Sequence, residues 1–274
     1  MLSSDQTRAY LDKIGWFEKH GDLPSQSIAD LDDLIWLHQT HIPFENADAH
    51  LFHQAPSLAE ADLFDKIVCH DRGGFCYELN AAFHALLKAL GFDVRAVFAR
   101  NVRNIAPGAA VPISHRGQIV ALEDGLHYAD VGYGGPMAGC SVPVRPKAKR
   151  KSGGRWFMID HADQEGWWTY SYCPAKNAQP GNGHPPEESL FQPVLLFEDR
   201  PAREEDFDAL CWSTAMNPES VFVRLMFMNL RTEEGSISLR GTTLTRVCAG
   251  QTTTEEVDAA DIPRIAQKDF GLIW

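Results

Sequence analysis

Residues 27–41 carry Leu31, Leu34, Ile35 and His38 on one stripe at three- and four-residue spacing, and Ser27 followed by Asp30 marks where such a helix starts. Ser57 is placed to open a second helix bearing Phe64, Ile67 and Val68. In the third, Leu79, Phe83, Leu86, Leu87 and Leu90 follow Cys76, and Gly91 closes the run. From Phe92 the pattern changes to short β-type segments, DVRAVFARNV, GQIVALEDGLHYADVGYGG, GRWFMID, GWWTYSY and PVLLFED, parted by Gly, Pro and Asp turns. The stretch 173–189 is too rich in Pro, Gly and Asn for regular structure and reads as a surface loop. Strands resume as SVFVRLMFMNLR and SISLRGTTLTRV before a C-terminal helix over 262–270, and no internal repeat is visible.

With 274 residues, 44% of them hydrophobic, the chain has material for one large domain or two to three packed units. A net charge of −12 argues against broad binding to nucleic acid or an anionic membrane, both of which need a basic surface. The N-terminus has no apolar signal core, and no later apolar run reaches the length of a membrane span, so a cytoplasmic protein is expected. The six cysteines lack CxxC spacing, which suggests neither a zinc site nor a disulfide framework and fits a reducing compartment. HQTH, 38–41, has two histidines but no third ligand nearby, and no metal is expected.

The candidate chemistry lies in DRGGFCYELN, 71–80, where Cys76 follows two glycines at a helix start. The unpaired N–H groups and the dipole of a helix N-terminus stabilise a thiolate, and Gly73 and Gly74 would let the chain turn sharply into that position. The alternative is a small buried hydrophobe. A reactive cysteine needs a base, and the base a third group to fix its tautomer. His84 lies too far along the same helix to reach the sulfur. His115 opens one strand and Asp130 ends the next, and a hairpin through the turn EDG would bring imidazole and carboxylate together across the pair.

Together these residues resemble the arylamine N-acetyltransferases. The resemblance rests on RGGFCYELN, the earlier IPFEN (42–46), SHRGQIVAL and ADVGYGGP (129–136), with a weaker match in WSTAMNPESVF (212–222), and covers about residues 5–245. It implies a triad of Cys76, His115 and Asp130. It also implies an α+β fold in three parts: a helical bundle over 1–91 carrying the cysteine, a β-barrel over 92–198 carrying histidine and aspartate, and an α/β lid over 199–274. Acetyl-CoA would be co-substrate, with no permanently bound cofactor, and a small aromatic amine or hydrazine the acceptor, in a monomer or homodimer. Ser114, Gly132, Tyr133, Gly134 and Gly135 would contact CoA, Phe44 and Phe222 would line the substrate cleft, and Arg72, Glu78 and Asn80 would support the cysteine loop.

Two departures touch specificity. Tyr133 stands where the family more often has phenylalanine, and Ala215, Met216 and Asn217 replace the expected small, hydroxyl and histidine residues. Within an acidic protein, RPKAKRKSGGR (145–155) holds six basic residues; it reads as an exposed flexible loop, with steering of CoA phosphates as the second reading. Competing activities are a macrolactam-forming amide synthase fed by a carrier-bound acyl group and a thiol hydrolase.

Overall fold

In the computed structural model, which describes residues 1–106, 108–174 and 184–273, the first ninety residues hold helices, the loops that join them and one short strand. Helices α1 (Ser4–Lys13), α2 (Trp16–Lys19) and α3 (Ile28–His41) lead to strand β1 (Phe44–Glu45), then α4 (Ala47–His50), α5 (Glu60–Phe64) and α6 (Cys76–Ala89). The expected start of α3 is observed: Ser27 Oγ accepts from the Asp30 N–H at 3.1 Å, and Leu31, Leu34, Ile35 and His38 are all buried. The helix expected from Ser57 begins later. Ser57 Oγ accepts from Ala59 N, so its side chain closes a local turn, and α5 starts at Glu60 before passing into a π-helical turn over Asp65–Cys69. All residues of α6 from Cys76 to Leu87 are buried, including the polar ones, because the helix is packed on every side; Gly91 ends it at φ +85°.

Strands β2 (Asp93–Asn101), β3 (His115–Leu122), β4 (Gly125–Ala129), β5 (Val142–Pro143), β6 (Ala148–Ser152), β7 (Arg155–His161), β8 (Trp167–Cys173) and β9 (Gln192–Glu198) form one antiparallel sheet in the order β5-β4-β3-β2-β9-β8-β7-β6. Its two edge strands meet, so the sheet nearly closes into a barrel around Val97, Ile119, Tyr128, Phe157, Tyr170 and Phe197. The basic run is a correction to the sequence reading. Its centre, Ala148–Ser152, is β6, paired with β7, in which Arg150 is bonded to Asp32 and Lys149 donates to the Pro186 carbonyl at 3.0 Å. Alternation is weak there because basic side chains fall on both faces of the strand, Lys149 and Arg150 half-buried against these partners and Lys151 exposed. Residues 175–183 of the expected surface loop lie outside the described residues.

A second antiparallel sheet has the order β1-β10-β11-β12-β13, with β10 at Phe227–Thr232, β11 at Gly235–Arg240, β12 at Thr243–Cys248 and β13 at Gln251–Glu256. Helices α7 (Asp206–Met216) and α8 (Val221–Arg224) precede it, and α9 (Ile262–Phe270) packs Ile265, Ala266 and Phe270 onto Met228, Leu239 and Leu244. The apolar run 220–231, expected as one strand, is split. Ser220 Oγ accepts from Phe222 N at 3.2 Å and turns the chain into α8, so the strand waits until Phe227. Strand β13 is exposed along its whole length and therefore has no apolar alternation by which to be read.

Candidate active site

Cys76 is the first residue of α6, where its own N–H and that of Tyr77 have no intrahelical acceptor. The turn into the helix is made at Asp71, with φ +51°, and neither Gly73 nor Gly74 has positive φ. The glycines are needed instead for close approach. A Cβ on Gly73 would stand 2.0 Å from the Pro43 carbonyl oxygen, and one on Gly74 would stand 2.8 Å from the Glu78 side chain. Glu45 N donates to the Gly74 carbonyl at 2.9 Å, so β1 and the cysteine loop are laced together backbone to backbone.

Beneath the loop is a charge network. Arg72 Nη2 reaches Glu45 Oε1 (2.7 Å) and Asp48 Oδ1 (2.9 Å), while Lys66 Nζ reaches Asp48 Oδ2 (2.6 Å) and Glu78 Oε1 (2.5 Å). Glu78 Oε2 also accepts the Phe75 N–H, the residue just before the helix. Burial pushes the Glu78 carboxyl up to about 7, Lys66 opposes this, and the neighbouring charges of Glu45 and Asp48 add to it. Arg72 and Glu78 are thus both held in the network, and Lys66, Glu45 and Asp48, which the pattern of the sequence did not single out, complete it.

The β3–β4 hairpin closes through Glu123 and Asp124, with Leu122 opposite Gly125. Its register sets Gln118 opposite Ala129, which places His115 and Asp130 on the same face, two residues out of step. His115 Nε2 bonds Asp130 Oδ2 at 2.6 Å, and the Cys76 thiol lies near enough to the imidazole to act on its protonation. Burial disfavours the imidazolium, but the charge and hydrogen bond of Asp130, with Cys76 beside the ring, push its pKa up to about 10. For Asp130, burial alone would raise the carboxyl; His115, Asn80 and the Gly132 N–H together hold it below the usual carboxylate range. Asn80 Nδ2 bridges Asp130 Oδ1 (3.0 Å) and the Arg116 carbonyl (2.6 Å), tying α6 to both strands of the hairpin. A thiol, an imidazole and a carboxylate in series can generate a thiolate and pass a proton.

After Asp130 the glycine-rich turn folds over the cysteine: a Cβ on Gly132 would lie 2.9 Å from Cys76 Cα, and one on Gly134 would lie 3.0 Å from the Phe44 ring. Tyr133 sets its ring edge-on to His115 at 5.5 Å and donates its hydroxyl to Asn101 Oδ1 at 3.1 Å. Ser114 Oγ accepts the Asn101 N–H on the same rim at 3.2 Å. Gly134, Gly135, Tyr133 and Phe44 line a cleft of about 590 Å³ between the two sheets, with Arg155 and Arg231 on its far wall. Phe222 packs between Phe75 (5.9 Å) and Phe44 (6.2 Å). Ala215 is buried, whereas Met216 is part-buried against the core and Asn217 ends α7. His38 and His41 bond separately, to Tyr10 and to the Leu37 carbonyl, and among the described residues no cluster of His, Cys, Asp and Glu could hold a metal.

A family model described as N-acetyltransferase matches residues 27–273. The arylamine N-acetyltransferase of Mycolicibacterium smegmatis is 28% identical over 257 residues, which is 92% of this chain and 86% of that protein. A solved structure of an M. smegmatis arylamine N-acetyltransferase superposes with a TM-score of 0.84 at 26% identity, covering 97% of this chain and 91% of that one. The Mycobacterium marinum arylamine N-acetyltransferase in complex with CoA shares the fold, with a TM-score of 0.84 at 23% identity, over 97% of this chain and 92% of that one.

Proposed function

The chain belongs to the arylamine N-acetyltransferase family, and from that premise we propose that it carries an acetyl group from acetyl-CoA to small arylamines or arylhydrazines by way of a thioester on Cys76. The observation that carries the reading is the buried His115–Asp130 hydrogen bond set beside Cys76 at the head of a helix. In this reading His115 takes the proton of the Cys76 thiol as the sulfur becomes the nucleophile. The thiolate attacks the acetyl carbonyl, a new C–S bond forms as the C–S bond to CoA breaks, and His115 supplies the proton that the departing CoA sulfur takes. The exchange of one thioester for another is nearly balanced. The amine nitrogen then attacks the acetyl-cysteine, its proton passes to the imidazole, and the C–S bond breaks as the amide forms. Amide formation from a thioester runs downhill and draws the cycle forward. The free N–H groups at the start of α6 are suited to meet the oxyanion.

The cleft beside Gly132, Tyr133, Gly134 and Gly135 is the place we assign to CoA. Support comes from the lining residues, which include Arg155 and Arg231 as partners for phosphate, and from the CoA complex of the M. marinum protein. Phe44 and Phe222, with Phe75, are assigned to the acceptor side. All six cysteines are free thiols, which supports a reducing compartment, the cytoplasm; no helix among the described residues is long and apolar enough to cross a membrane. The macrolactam-forming and hydrolytic readings are not favoured by relatives named as arylamine N-acetyltransferases.

Intact-mass measurement after mixing with acetyl-CoA tests the proposal. One added acetyl group on Cys76, discharged by isoniazid or 5-aminosalicylate, is expected. Full transfer to the amine by a Cys76→Ala variant would overturn it.

A further inference from the structure

Asp130 Oδ2 serves two donors at once: Nε2 of His115 at 2.6 Å and the hydroxyl of Tyr128 at 2.9 Å. Oδ1 is taken up by Asn80 Nδ2 and the Gly132 N–H. Tyr128 sits two residues before Asp130 on β4, so both side chains leave the same face of the hairpin. For the phenol to reach along the strand to the carboxylate, the position on β3 two before Ile119, the residue paired with Tyr128, has to lack a side chain, and that position is Gly117. A Cβ there would stand 2.3 Å from Tyr128 Oη and 2.6 Å from its ring. The ring is clamped from the barrel side by Phe197 at 4.4 Å and Tyr170 at 5.5 Å, and is 1% exposed, so the hydroxyl has no route to water.

We propose that Tyr128 is a positioning residue for the acetyl transfer: admitted by Gly117, its hydroxyl shares Asp130 Oδ2 with His115 and thereby sets how firmly the aspartate holds the imidazolium. This rests on the reading of Cys76, His115 and Asp130 given above. A carboxylate oxygen divided between two donors gives less to each, because every charge-assisted bond draws on the same negative charge. Burial and the neighbouring carboxylate raise the phenol's own pKa far above its ordinary value, which keeps it a neutral donor at working pH. The other titratable groups facing the pair are Cys76 from α6, Tyr133 from the glycine-rich turn and Tyr170 from β8, the last bonded to the Ala138 N–H. None of them donates to Oδ2 among the described hydrogen bonds. Tyr128 is therefore the group by which the barrel core reaches the proposed base.

The test is the pH dependence of Cys76 alkylation by iodoacetamide, together with steady-state transfer, in the full-length protein. Tyr128→Phe keeps the ring and removes the donor. Oδ2 then belongs to His115 alone, and the alkaline limb, which reports loss of the His115 proton, is expected to rise by roughly half a pH unit. An imidazolium held more tightly yields its proton less readily, so kcat at neutral pH should fall by roughly threefold while KM for acetyl-CoA stays. A ring-fluorinated tyrosine at position 128, a stronger donor of nearly the same shape, should move the limb the other way, and it carries the test if the phenylalanine variant does not fold. Unmoved limbs in the variants that fold, with Cys76 still acetylated, would overturn the inference. Retention of full transfer by Cys76→Ala would instead overturn the reading on which it stands.

Discussion

Cys76 and its proposed base, His115, are held by regions of different make. Under the cysteine loop three carboxylates, Glu45, Asp48 and Glu78, share two cations, Lys66 and Arg72, in interlocking ion pairs. On the hairpin Asp130 pairs with a single ionisable partner, His115, and is otherwise wrapped in neutral donors from Asn80, Tyr128 and the Gly132 N–H. The first arrangement spreads charge over five side chains and fixes a backbone shape. The second confines it to the two groups through which a proton is proposed to move, where neutral donors can tune it without a counter-charge of their own. A scaffold and a proposed proton relay thus make opposite uses of burial.

Changing Asp130 to Asn attacks the second region at its centre. The imidazole loses its ionic partner and its fixed tautomer, and turnover is expected to drop by roughly 10⁴-fold with the fold retained, read by steady-state transfer and circular dichroism. Lys66→Met attacks the first. It leaves three carboxylates with one cation, and the cost expected in denaturant unfolding is about 3–5 kcal/mol, as for other buried ion pairs stripped of one partner.

The two regions also separate on the pH axis. Glu78 titrates higher in the fold than its ordinary 4.5, at about 7, so its contribution is complete below 4.5 and is lost as pH rises to about 7. His115 goes from 6.5 to about 10, so its contribution is complete below 6.5 and is lost as pH climbs to about 10. Stability measured against pH should show both windows. Glu78→Gln should flatten the lower one, and Asp130→Asn the upper.

The smallest effect is expected at the rim of the basic run. Lys147 pairs with Glu188 on the surface and Lys151 is exposed on β6, so replacing both by Ser should change stability by less than about 0.5 kcal/mol. KM for acetyl-CoA should stay within about twofold. A large, salt-dependent rise would restore the steering idea for these two lysines.

Much of this was open to reading in the residues alone wherever the governing contact is short in sequence. Ser27 with Asp30 starts α3, Gly91 ends α6, the EDG turn closes β3 on β4, and Cys76 at the head of its helix needed only local spacing. The order of motifs added the partners of the cysteine. Local signals misled at 220–231, where Ser220 as a cap overrode a strand-like composition, and in the basic run, where pairing with β7 made a strand of what looks like a loop.

By itself, then, the chain determined its helix starts, its hairpin, its charge and the identities of the three groups proposed to act, because capping, turn and alternation rules operate over a handful of neighbours. Tertiary structure decided the rest. It joined β1 to β10 across the chain, laid Gly73 against Pro43, gathered Lys66 and Arg72 around three carboxylates, and opened the gap at Gly117 that lets Tyr128 touch Asp130. Those contacts link residues far apart along the chain or on facing strands, and their strength comes from the low dielectric and tight packing that exist only once the core has closed.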